Sequence, residues 1–446
     1  MQPGRALGAP STETGDMSAE HYDPLETRDP AAREAALMAA LPAQVRAAQA
    51  VPALAEILRD VDAGAVTSRA ALARLPVVRK GELLQRQQAT RAAAGDGWDP
   101  FGGFSALGWR AMAARAGRPA GRVYQSPGPI YEPEGEGRDY WRTARALFAA
   151  GLRAGDLVHN SFSYHLTPGA WMMDAGARAL GCTVFPGGVG NTELQLQAMA
   201  ELRADAYAGT PSFLRILLEK AAETGVALPH LKKALLSGEA FPGSLRDWLQ
   251  ERGVTGYQAY ATADVGTIAY ETAAREGLVL DEGVILEIVR PGTGDPVPDG
   301  EVGEVVITTL SPDYPLLRFG TGDLSAVLPG RCPTGRTNTR IRGWLGRADQ
   351  TAKVRGMFVH PSQVAEVLRR HPQVLKARLV VSGEMAADLM TLKVECAGGA
   401  EGQAGLADAL AATVRDLTKL RSDIELLAPG SLPNDGKVIE DARSHR

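Results

Sequence analysis

Apolar residues in this chain change their spacing several times, and each spacing predicts a different kind of element. Across 29–92, in stretches such as AAREAALMAALPAQVRAAQAVPALAEILRDV, they recur every three or four residues, the period of amphipathic helices. Pro42 and Pro52 interrupt that period and predict a set of short helices capping a larger body. Over 120–277 short apolar runs alternate with amphipathic ones. DLVHNSF, CTVFPGG, DAYAGT and KKALLSGEA read as buried strands, and DYWRTARALFAAGLRAG, TPGAWMMDAGARALG, SFLRILLEKAAETG and SLRDWLQERG as helices. Strands separated by helices of this length predict a parallel sheet covered on both faces.

From 278 to 346 the period falls to two, with turn chemistry in PGTGDP and PDGEVGE, which predicts a small β-barrel or sandwich module. The last stretch, 347–446, alternates short strands (AKVRGMFV, KARLVVSG, DLMTLKVEC) with two helical patterns (PSQVAEVLRRH, GLADALAATVRDLTKL) and predicts a compact α+β domain. The expected organisation is a disordered leader over 1–28, a large domain over 29–346 and a small domain over 347–446.

Composition narrows the class. Hydrophobic residues make up 45% and charged residues 22% of 446 residues, as in a soluble globular protein of more than one domain. A net charge of −4 excludes nucleic-acid binding that rests on bulk positive charge. Cys182, Cys332 and Cys396 lie far apart, form no metal or disulfide pattern, and fit a reduced cytoplasmic setting. The N-terminus lacks the apolar core of a signal peptide, and no run of about 18 apolar residues predicts a membrane span.

Ligands bind parallel sheets at the carboxyl ends of the strands. Here those ends are the turns PGGVGNTE (186–193), AGTPS (208–212), SGEAFP (237–242) and YATADVG (260–266). Downstream, Arg318 to Asp323 (RFGTGD) precedes Gly346 to Asp349 (GRAD). A turn-borne aspartate accepts hydrogen bonds from paired hydroxyls such as those of ribose, and a permanently charged arginine suits phosphate or ribose oxygens.

Taken together, NSFSYHLTPGAWMMDAGARALGCTVFPGG, GTPSF, PLLRFGTGDL and GRADQTAKVRGMFVHPSQ resemble the adenylate-forming (acyl-CoA synthetase) superfamily, in its phenylacetate–coenzyme A ligase branch. The resemblance covers roughly 120–446. It implies a large AMP-binding domain and a small mobile one, with ATP, Mg²⁺ and coenzyme A as cosubstrates and a carboxylic acid as the acyl donor; a homodimer is compatible with it. It further implies that Asp323 holds the ribose hydroxyls, Arg347 touches ribose or phosphate, and Asp349 is the hinge. Tyr260 matches the aromatic stacked on adenine, flanked by Ala261 and Thr262, while Ser237, Gly238 and Glu239 match the turn lining the adenine pocket. Lys437, in LPNDGKVIEDAR, takes the place of the catalytic lysine, Asp264 that of the Mg²⁺ carboxylate, and Phe162, Tyr164 and His165 line the acyl side.

Two departures bear on ATP chemistry. The family's phosphate loop is a Ser/Thr/Gly run ending in Lys, whereas YQSPGPIYEPEGEG (124–137) keeps only Ser126 and Gly128 and has no Lys. Pro127 and Pro129 offer no N–H, and Glu132, Glu134 and Glu136 are expected to repel triphosphate. In YATADVG, Ala263 stands for a hydroxyl residue and Asp264 for a longer Glu. Two readings follow: an acid–CoA ligase, or a non-activating relative that binds AMP, acyl-adenylate or acyl-CoA as a sensor.

Overall fold

A computed structural model describes residues 20–93, 98–112, 118–290, 293–348, 352–355, 357–359, 361–383, 388–396, 405–433 and 438–443. Its centre is a nine-stranded sheet. The strands Thr183–Pro186, Leu157–Asn160, Ala206–Gly209, Lys233–Leu236 and Thr255–Thr262 run parallel, in that spatial order. Gly266–Glu271 then turns back antiparallel on Thr255–Thr262. The three inner strands Leu157–Asn160, Ala206–Gly209 and Lys233–Leu236 are almost wholly buried, as expected where helices such as Gly169–Leu180 and Pro211–Thr224 cover the sheet, while the edge strand Thr183–Pro186 is partly exposed.

The segment 278–346 divides between two sheets. Leu278–Leu280, Arg340–Ile341 and Val327–Leu328 extend the large sheet, whereas Val284–Val289, Gly303–Thr309 and Phe319–Ser325 build a five-stranded one. Val78–Arg79 pairs parallel with Phe319 and Gly320, so the helical cap delivers Lys80, the first residue of helix Lys80–Ala92, beside the Asp323 strand.

Two expectations about the N-terminal part are corrected. Pro42 does not end a helix but lies inside Pro30–Gln49. The lost backbone bond and ring clash cost about 3 kcal/mol. Leu37, Leu41, Val45 and Ala48 form one buried stripe on that helix, and each large apolar side chain so buried is worth roughly 1.5–3 kcal/mol. Pro52 does open a new helix, Pro52–Ile57.

Residues 20–28, assigned to the disordered leader, are instead packed. Glu26 is 1% exposed and its Oε1 accepts from Tyr270 Oη (2.6 Å) and Arg336 Nε (2.5 Å). Arg28 pairs with Glu282 at 2.9 Å. A buried carboxylate with both partners in place anchors this segment to the body.

The C-terminal α+β domain has its own sheet, in the order Asp423–Leu427, Leu389–Cys396, Val374–Ser382, Ile439–Asp441, with helices Pro361–Arg370 and Leu406–Thr418. Its core, from Ala352 to Ile439, is separate from those of the large domain. Among the described residues, no helix is long and apolar enough to cross a membrane.

Candidate active site

Tyr260 and Asp264 lie at the carboxyl end of strand Thr255–Thr262 and on the turn that follows it. Tyr260 Oη donates to Asp323 Oδ2 at 2.8 Å, and Trp344 Nε1 donates to Asp323 Oδ1 at 3.0 Å. Asp323 is thereby brought to the end of the parallel sheet from the second sheet. The backbone of Arg347 lies opposite Asp323 in antiparallel register. Ser237 closes the neighbouring strand end: its Oγ donates to Ala259 O at 2.8 Å and its N–H to Gly209 O at 3.2 Å. Gly238 takes φ +81°, a left-handed conformation that glycine adopts without strain, and Glu239 Oε2 accepts from Ser212 N. Thr262 Oγ1 caps the turn by accepting from Val265 N, and Ala261 packs against a buried cluster of Tyr124, Trp141 and Met172. The sequence-predicted nucleotide residues Ser237, Gly238, Glu239, Tyr260, Ala261, Thr262 and Asp323 thus all lie at these adjoining strand ends and turns. Asp349 and Lys437 lie outside the described residues.

Arg318 is not part of this group. It is 2% exposed at φ +44°, and its guanidinium donates to Glu287 Oε2 (2.9 Å), Ala73 O (2.8 Å), Leu75 O (2.5 Å) and Gly294 O (2.6 Å). Its hydrogen bonds tie helical cap, loop and second sheet together, and none is directed at a nucleotide.

At the phosphate end the expected loop is replaced by a tight hairpin. Arg122–Ser126 pairs antiparallel with Ile130–Glu134, and Ser126 lies opposite Ile130, so only Pro127, Gly128 and Pro129 connect them. Ser126 Oγ points inward and donates to Glu132 Oε1 at 2.5 Å. Glu132 is fully buried; burial first, and then the charge of Asp264, push its carboxyl well above the usual range and favour the neutral acid. Glu134 is buried too, accepting from Tyr124 Oη (2.7 Å) and Arg122 Nη1 (2.9 Å). The repulsion expected of these two glutamates is therefore weakened, at Glu132 by a carboxyl shifted towards its neutral form and at Glu134 by pairing.

Asp264 is 4% exposed, with Oδ2 at 3.1 Å from Lys80 Nζ. Asp264 Oδ1, Glu132 Oε2 and Tyr314 Oη are buried with no hydrogen-bond partner. Sequence reasoning missed Lys80 because LPVVRK carries no motif of its own. Only its strand register with Phe319–Gly320, formed across some 240 residues of chain, brings it to Asp264.

On the acyl side Ser163, Tyr164 and His165 line a cavity of about 310 Å³ with Pro186, Gly187, Gly188, Val189 and Asn191. Tyr164 Oη accepts from Asn160 Nδ2 at 2.9 Å, and burial pushes its phenol up to about 12. Phe162 is half-buried and His165 is exposed, at the rim rather than in the core. Met172 and Met173 are core residues, as their helix pattern implies. Behind Gly187 is a network no motif announces: His159 Nε2 and Ser161 Oγ both lie 2.8 Å from Gln195 Oε1. Burial lowers the His159 pKa and keeps the ring neutral. A Cβ on Gly187 would stand 2.7 Å from both Gln195 Oε1 and His159 Nε2, so any larger residue there must displace that network.

Asp323, held by Tyr260 and Trp344, and Asp264, paired with Lys80, thus stand at the carboxyl end of a parallel sheet, where such sheets take ligands. Residues 142–311 match the AMP-binding enzyme family and 356–443 its C-terminal domain. The phenylacetate–coenzyme A ligase of Aromatoleum evansii is 32% identical over 74% of this chain and 73% of its own length. That of Thermus thermophilus is 36% identical over 56% of this chain and 59% of its own length, so this chain spans well under two thirds of that relative. A crystal structure of 2-hydroxyisobutyryl-CoA ligase with its acyl-adenylate and CoA, in the thioester-forming state, superposes with a TM-score of 0.77 at 25% identity, covering 96% of this chain and 93% of that one. The chain belongs to the phenylacetate–coenzyme A ligase family, a group of AMP-forming acid–thiol ligases whose cosubstrates are ATP and coenzyme A.

Proposed function

We propose that this chain activates a compact carboxylic acid with ATP and transfers the acyl group to coenzyme A. A carboxylate oxygen attacks the α-phosphorus and pyrophosphate leaves; the thiolate of coenzyme A then attacks the acyl carbon and AMP leaves. The observation that carries this reading is the pairing of Tyr260 with Asp323 and of Lys80 with Asp264, at the end of one strand and on the turn after it. Asp323 accepts the ribose hydroxyls, Tyr260 packs on adenine, the Ser237–Glu239 turn lines its pocket, and Arg347 contacts ribose or phosphate. Lys80 supplies the positive charge that the phosphate loop has lost. Magnesium suits Asp264, whose Oδ1 is buried and unpartnered, and would neutralise charge on the phosphates. Lys437 stabilises charge developing during carboxylate attack, and Asp349 is the hinge for rotation of the small domain.

The acid follows from the cavity of about 310 Å³ rimmed by Ser163, Tyr164 and His165 together with the relatives' named acids. Phenylacetate and other aryl or short branched acids are its expected range, in a cytoplasmic enzyme and as a homodimer. Pyrophosphate release across such a panel tests the proposal, and at least one acid should raise it well above the acid-free rate. The three-residue hairpin turn favours the second reading, a non-activating AMP or acyl-CoA sensor. No release with any acid of the panel, alongside AMP or acyl-CoA binding by calorimetry, would overturn the ligase reading in favour of the sensor. In an active enzyme, Lys437→Ala should slow adenylate formation roughly a hundredfold or more. An unchanged rate would remove Lys437 from the mechanism.

A further inference from the structure

Gln195 is a polar residue on the buried side of helix Thr192–Glu201, only 3% exposed. Its Nε2 donates to two backbone carbonyls, Gly188 O at 2.9 Å and Gly190 O at 2.6 Å. Its Oε1 lies 2.8 Å from both His159 Nε2 and Ser161 Oγ. An amide oxygen only accepts, so His159 presents an Nε2–H and Ser161 its hydroxyl hydrogen.

These partners come from two neighbouring strand ends. His159 belongs to strand Leu157–Asn160 and Ser161 follows it, whereas Gly188 and Gly190 follow strand Thr183–Pro186, which pairs parallel with the first. The chain leaving the first strand supplies one wall of the cavity of about 310 Å³, with Ser163, Tyr164 and His165. The chain leaving the second supplies the other wall, from Pro186 to Asn191. One side chain outside the lining therefore joins the two walls. The second wall has need of it. Gly188, Gly190 and Asn191 are left-handed, at φ +68°, +74° and +48°, and the side chain of Val189 between them is exposed. Glycines leave a chain many conformations, so the carbonyl contacts to Gln195 select one of them.

From this geometry we infer that Gln195 is a positioning residue that fixes the width of the acyl cavity and thereby its preference for a compact acid. The inference rests on the reading of this cavity as the acyl site. Without the amide, the carbonyls of Gly188 and Gly190 lose their donor, the loop spreads over other conformations, and the wall yields to a longer acyl group. A firm pocket separates ligands that differ by a single methylene by about tenfold or more.

The test uses two acyl-sulfamoyladenosines, stable analogues of an acyl-adenylate that share the adenosine part and differ only in carrying phenylacetyl or 4-phenylbutyryl. Both are measured by calorimetry on the same preparation, so partly unfolded protein does not alter their ratio. Wild type is expected to prefer the shorter analogue by about tenfold or more. Gln195→Met and Gln195→Glu should prefer it by about twofold or less, with AMP affinity unchanged. The glutamate keeps the length and the acceptor oxygen but lacks the pair of N–H donors for the loop. Ser161→Ala, which removes one donor to Oε1 and leaves the loop contacts, should fall in between. A wild type without preference, or a preference equal in wild type and the Gln195 variants, overturns the role of Gln195. So does an AMP affinity that falls in step with the analogues, since Gln195 is then a general prop of the fold. Ser163→Trp, which fills the cavity from the opposite wall, should weaken both analogues and leave AMP binding as it was. If it weakens neither, the cavity is not the acyl site, and the inference falls with that reading.

Discussion

Replacing Lys80 with Met should abolish ATP-dependent adenylate formation, by roughly a hundredfold or more, and leave thioester formation from supplied acyl-adenylate nearly intact. The two half-reactions separate because only the first places a triphosphate beside Asp264. Lys80 Nζ is 3.1 Å from Asp264 Oδ2 on a side chain about one-third exposed, so its charge is both anchored and reachable. Burial pushes the Glu132 carboxyl upward and so weakens the negative charge beside it. Lys80→Arg should keep a substantial part of the activity. Acid-dependent pyrophosphate release and acyl-CoA formation, assayed on the same variants, give both rates. Equal loss in the two half-reactions, or none in the first, would sink the idea that Lys80 replaces the phosphate-loop cation.

Arg318→Met should act on stability instead. The substitution strips partners from Glu287 and from the carbonyls of Ala73, Leu75 and Gly294 at once. Breaking a buried ion pair from one side costs about 3–5 kcal/mol, since the remaining charge stays buried. Arg318→Lys should recover little, because one ammonium on a flexible stem cannot reach acceptors spread over such a span. Thermal unfolding of the large domain gives the answer. A variant that melts like the wild type and fails only in ATP binding would return Arg318 to the nucleotide site.

These two residues show where sequence reasoning reached and where it stopped. The helix–strand alternation over 120–277, Asp323 and Tyr260 were legible because each is encoded locally, by period or by a short motif. Arg318 was misleading: it stands in the same motif as Asp323, but it precedes the strand Phe319–Ser325 at a left-handed φ of +44°, and its guanidinium turns into the body among Glu287 and three backbone carbonyls. Lys80 was silent because its meaning is set by the pairing of Val78–Arg79 with a strand far along the chain. Glu132 was visible, but its sign of effect was not. As an exposed residue it repels phosphate; burial instead shifts its carboxyl towards the neutral form. Pro42 shows the same limit from the other side, since a local helix breaker yields when a buried stripe of Leu and Val outweighs it.

The hairpin turn has a kinetic consequence. A glycine-rich loop grips the outgoing diphosphate with a row of backbone amides, whereas Pro127 and Pro129 have none and the turn supplies the single N–H of Gly128. A leaving group so weakly held departs early, and the adenylate has little chance to be reversed by it. On the proposed ligase reading, commitment at this end of the site would rest on a poor backbone grip on the product, and label exchange from pyrophosphate back into ATP should lag far behind net turnover.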